Sequence, residues 1–81
     1  MARYVFSMNK TDAVSAVKKA LIGKIGILKD KDGCLTVGAP LMTAKIIFTE
    51  KEVTTSAVMF GRFVLGTVDS CIEQIEGFLK V

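Results

Sequence analysis

The feature that most constrains this chain is the run Ser56-Ala57-Val58-Met59-Phe60-Gly61-Arg62-Phe63-Val64-Leu65-Gly66. Read as a strand, it is apolar on both faces. Ala57, Met59, Phe63 and Leu65 alternate with Val58, Phe60 and Val64, and only Arg62 interrupts the second set. A strand apolar on both faces needs cover on both sides. With 81 residues there is material for little more than one covering layer. Either the run changes face part-way, or something outside the chain covers the second side.

The rest of the sequence predicts where the first layer comes from. Tyr4, Phe6 and Met8 alternate with Arg3, Val5 and Ser7, a strand pattern. Asn9-Lys10-Thr11-Asp12 is a helix start, with Asn9 or Thr11 as the cap and an acid in the first turn. Ala13, Val14, Val17, Ala20 and Leu21 make one helical stripe, and Gly23 is a natural residue just past its end. Strands are expected at 24–29 and 34–38, joined by Asp30-Lys31-Asp32-Gly33, since Asp-Gly favours a tight hairpin. Ala39-Pro40 breaks the pattern. A strand over 43–50 and a long strand over 53–65, bent near Gly61, follow. A last helix opens at Gly66-Thr67, capped by Thr67 or Asp69. Its stripe is Val68, Ile72, Ile75, Phe78 and Leu79.

The order is β-α-β-β-β-β-α, a single α+β domain over residues 1–81. The simplest two-layer solution is an antiparallel meander, the first strand alongside and both helices on one face. This element order is similar to a single repeat of the TATA-box-binding proteins and to minimal helix-grip domains of the START-like kind. No motif accompanies the similarity, so it implies no functional residue.

On that arrangement the inward set is Tyr4, Phe6, Met8, Ile25, Ile27, Leu35, Val37, Ala44, Ile46, Phe48, Val53, Ala57 and Met59. The outward face combines Val5, Leu28, Ile47, Val58 and Phe60 with Arg3, Lys24, Lys45 and Arg62. Apolar centres with charged rims are how protein interfaces are built. The expected function is therefore a small non-enzymatic interaction module. It is expected to form a homodimer, with another protein as a further partner, through the outer face (Val5, Leu28, Ile47, Val58, Phe60, Arg62) or a sheet edge. The alternative is nucleic-acid binding, with Arg3, Lys24, Lys45 and Arg62 on phosphates and Phe60 stacking. A third reading is an apolar-ligand carrier, the last helix gripping the sheet.

Charge and motifs narrow this further. The net charge is +3, but residues 1–31 carry seven cations against two acids, whereas residues 32–81 carry four against six. The simplest account is a basic first helix beside an acidic last one. Gly23-Lys24-Ile25-Gly26 has the GXXG form of a KH loop but enters a strand instead of joining two helices. Asp30-Lys31-Asp32-Gly33 begins like an EF-hand loop, yet no Glu closes it. Phe60-Gly61-Arg62-Phe63-Val64 resembles the RNP1 strand of RRM domains, with Arg62 inserted. There is no His, no phosphate loop and no nucleophile elbow, so neither an enzyme nor a cofactor or metal site is expected. Cys34 is the one conceivable nucleophile, with Lys24 or Lys45 as neighbours. Two cysteines without a CxxC make no disulfide framework. No apolar run has membrane-spanning length and no signal-peptide core is seen, so a cytoplasmic location with no membrane partner is the expectation.

Overall fold

The computed structural model describes all 81 residues. The elements are β1 (Ala2–Phe6), α1 (Lys10–Leu21), β2 (Ile27–Lys31), β3 (Cys34–Ala39), β4 (Met42–Phe48), β5 (Glu52–Met59), α2 (Arg62–Glu73) and β6 (Phe78–Lys80). The sheet is antiparallel throughout, in the order β2-β3-β4-β5-β1-β6. The expected meander is present, with β1 beside its last strand. A sixth strand then lies on the free side of β1.

Alternation sets one face for the helices. Tyr4, Phe6, Leu35, Val37, Ala44, Ile46, Phe48 and Val53 are buried there against Ala13, Val17 and Leu21 of α1 and Val68, Cys71 and Ile72 of α2. Removing each large member of this set from water contributes about 1.5–3 kcal/mol before ordering entropy is subtracted. Asn9, not Thr11, caps α1, its side-chain oxygen accepting from the Asp12 amide at 2.8 Å. Asp30 shares a face with Leu35 and pairs with Lys18, which ties α1 to the β2 edge.

The principal correction concerns the long strand expected over 53–65. It stops at Met59, whose φ of 58° takes the backbone into the left-handed region. For a residue other than Gly this costs about 1–2 kcal/mol. Gly61 follows, packed so closely that a methyl group there would overlap the Thr43 carbonyl oxygen. The chain then reverses into α2 at Arg62. Phe63, Val64 and Leu65 are therefore helical, because a short apolar run satisfies a two-residue and a 3.6-residue period equally well.

The last helix is displaced accordingly. It begins five residues before Thr67 and ends at Glu73, six before Leu79. Neither Thr67 nor Asp69 caps it: the Thr67 hydroxyl donates to the Phe63 carbonyl, and Asp69 faces the sheet. Gly77, at φ +95°, allows the reversal into β6. Phe78 then returns to the core beside Phe6, ring centroids 5.6 Å apart, while Leu79 faces solvent.

Three inward assignments also change. Ile27 lies on the edge strand β2 and Met59 at the turn out of β5, and both are exposed, as is Ala57. Thr55, which polarity alone assigns to the surface, is fully buried. The strand expected from Lys24 begins at Ile27, and a register shift between Ile27 and Lys29 leaves Leu28 without a cross-strand partner.

Gly61→Ala is expected to lower stability by about 2–3 kcal/mol, because the added methyl forces β4 and β5 apart. Thermal unfolding should fall by about 10–15 °C. An unchanged midpoint would mean that the reversal is looser than described.

Candidate functional site

The antiparallel topology brings six chain segments to one end of the sheet. They are the exit of α1, the start of β2, the end of β3, the start of β4, the end of β5 and the start of α2. The Gly38 amide donates to the Gly26 carbonyl at 2.8 Å and closes this end between β2 and β3. Met42 and Met59 are direct cross-strand partners on its β4–β5 side.

This end collects apolar surface. Twelve large apolar side chains of the molecule are exposed, and eight of them lie here: Ile22, Ile27, Leu28, Leu41, Met42, Met59, Phe60 and Phe63. Phe63 is 85% exposed, Phe60 74% and Ile22 72%. Single exposed apolar residues are ordinary, but a concentration of them marks an interaction site. None of the eight lines any of the molecule's five cavities. They project from turns and element ends and do not enclose a groove.

The same end has cations and no acids. Residues 13–29, 33–49 and 53–68 contain no Asp or Glu at all. The acids sit at or beside the β2–β3 and β4–β5 turns, at the start of α1, in the C-terminal half of α2 and just after it. Lys19, Lys24, Lys29, Lys45 and Arg62 lie at or just behind the apolar end, and none of them forms an ion pair. That acid-free spacing was legible in the sequence. A sum over halves of the chain hides it, because each half mixes the two ends of every strand.

The residues expected to form an outer-face patch are divided by the fold. Val5, Ile47 and Val58 do lie on the face away from the helices, as do Arg3 and Lys45. Thr54 separates Ile47 from Arg3 along one row, and Arg3 pairs with Glu52 at 3.5 Å. Phe60, Arg62 and Lys24 are not on the sheet, and Leu28 sits at the bulge. The outer face instead presents Lys29, Lys31 and Lys45 around a shallow cavity of about 350 Å³ that also includes Cys34. Lys24 does not reach it.

The largest cavity, about 580 Å³, lies between α1 and the β2–β3 turn, and its lining is mainly Lys10, Thr11, Ser15, Lys18 and Asp32. It is not the sheet–helix space of a grip-type carrier. No group of three or more His, Cys, Asp or Glu side chains is placed to hold a metal.

One partly buried polar cluster was missed by sequence reasoning. The Tyr4 hydroxyl donates to Asp69 Oδ1 at 3.0 Å, with Glu73 Oε2 at 3.3 Å as a second acceptor. Thr55 Oγ1 donates to the same Asp69 oxygen at 2.7 Å. β1, β5 and α2 are thereby tied at one point. Burial chiefly, then the hydrogen bond to Asp69 and the two carboxylate charges, pushes the Tyr4 phenol well above its ordinary pKa. No cavity reaches Tyr4, Thr55, Asp69 or Glu73, so the cluster is a latch between helix and sheet.

Tyr4→Phe should cost about 2 kcal/mol at neutral pH, the usual contribution of a hydrogen bond to a charged group. Because the folded state raises the phenol's pKa, its contribution is complete below pH ~10 and is lost as pH rises above that value. Tyr4 is the only tyrosine, so tyrosinate absorbance reports it alone. The absorbance rise should coincide with alkaline unfolding. A rise at the ordinary pKa with the fold intact would contradict the latch.

No family model matches the chain, and no curated protein or solved structure matches it either.

Proposed function

We propose that this chain is a small non-enzymatic interaction module that docks end-on, through the apolar end formed by Ile22, Leu41, Met42, Met59, Phe60 and Phe63. One observation carries the reading: two thirds of the exposed large apolar side chains gather at one acid-free end. Burying such side chains is the main favourable term in association. Binding there needs no movement of the core, because these side chains are already outside it.

The outer sheet face supports a self-pairing module less well. Arg3, Lys29, Lys31 and Lys45 share that face with a single acid, Glu52. Two copies joined by it would press like charges together, which opposes the burial of Val5, Ile47, Val58 and Leu79. The sheet edges are guarded as well. β2 carries Lys29, Asp30 and Lys31 beside a bulge, and β6 is three residues long. Nucleic-acid binding through the lysines of the outer face lacks a stacking ring, since Phe60 lies elsewhere.

Photo-crosslinking tests the reading. A photoreactive side chain at position 63 should form adducts in living cells, and one at position 54, on the outer face, should form few. Adducts from position 54 in preference to 63 would overturn the proposal and return the outer face as the interface. Light scattering of the purified chain should show a monomer at micromolar concentration. A stable dimer that survives Phe63→Ser would have the same consequence.

A further inference from the structure

The partner of this end is open to a chemical argument, which rests on the docking reading above. We infer that the end binds the surface of an anionic lipid bilayer, with the phenyl rings of Phe60 and Phe63 in the acyl boundary and the surrounding cations among the headgroups.

Three observations converge on this occupant. The first is charge complementarity. Arg62 lies among the apolar side chains, Lys24 follows the exit of α1, Lys29 and Lys45 stand behind them on the outer face, and the segments that build the end contain no acid. A second copy would bring the same cations against them, so self-association is disfavoured at this end also. An anionic bilayer supplies negative headgroups and an apolar interior together, the combination that holds peripheral proteins.

The second is shape. The apolar residues project from turns and element ends, and none lines a cavity. A folded protein partner would need a matching hollow. A bilayer deforms around whatever enters it.

The third is depth. Peripheral apolar faces sink about 5–10 Å into the headgroup and acyl boundary. Lys45 is three residues along β4 from Met42, about 10 Å at strand rise. With the rings buried to that depth, the Lys45 ammonium stands at headgroup level, within a Debye length of the surface. The acids of the β4–β5 turn, Glu50 and Glu52, lie at the far end of the same strands, where a negative membrane repels them least. No helix is long and apolar enough to cross a membrane.

Vesicle flotation with the full chain decides the matter. Vesicles of phosphatidylcholine doped with phosphatidylglycerol should carry the protein, and vesicles of phosphatidylcholine alone should carry far less. Added salt should weaken binding. Phe60→Ser with Phe63→Ser should reduce it by about tenfold or more, given the apolar area withdrawn. Lys24→Glu with Arg62→Glu should do likewise. Ile47→Ser, which removes an exposed apolar residue from the outer face, should leave binding unchanged. All three variants alter exposed positions, so thermal midpoints near that of the parent confirm that folding is intact. Absence of binding to anionic vesicles overturns the inference, as does equal binding by the double-serine variant. If vesicles fail while position 63 still crosslinks to a protein, the docking end stands and its lipid assignment falls. If position 63 also fails to crosslink, both fall.

Discussion

The close approach of Gly61 to the Thr43 carbonyl is the contact on which the rest of this architecture depends. It ends β5, admits α2 within two residues and sets the helix over β4 and β5. Any side chain larger than hydrogen would hold the two strands apart. The left-handed backbone at Met59 is the local cost of so abrupt a reversal, about 1–2 kcal/mol. The core and the latch meet that cost at the other end of α2. The same reversal leaves Phe60 and Phe63 in solvent, where a longer strand would have laid them across the sheet. Fold and candidate site thus share one cause.

The two ends of the molecule are held by different physics. At the acidic end, Phe78 packs on Phe6, and Asp69 collects hydroxyl protons from Tyr4 and Thr55. The buried side-chain polar atoms all have partners, so polarity inside the core carries no unpaired cost. At the apolar end α2 starts directly from the reversal at Gly61, with the Val64 side chain close to Gly38. Met42 and Met59 face each other there, only partly covered, and Ala57 stays exposed behind them.

Much of the fold was legible in the sequence, and the reasons are specific. Alternation in Tyr4–Phe6, Leu35–Val37 and Ala44–Phe48 identified the inner face, and Asn9 with Asp12 marked the start of α1. Asp32-Gly33 marked the hairpin, with both residues at positive φ. The boundary at residues 60–66 was not legible, because Phe-Val-Leu serves a strand and a helix alike. β6 was hidden because Ile75, Phe78 and Leu79 continue a helical stripe from Ile72, and only Gly77 signalled the break. Thr55 and Asp69 looked like surface residues because their burial depends on a partner, Tyr4, more than fifty positions away. The candidate site followed the same pattern. Its members were singled out piecemeal, Leu28, Phe60, Arg62 and Lys24 among them, but were assigned to a sheet face when most belong to turns and element ends.

Solution NMR with a soluble paramagnetic probe shows whether the chain leaves the strand at Met59 and exposes an apolar end. The account requires helical backbone shifts from Arg62 onward. It requires strong broadening of the Phe60 and Phe63 ring protons, and little broadening at the buried Val68 and Ile72 methyls. Extended shifts continuing through Leu65, with the two phenyl rings protected from the probe, would contradict it.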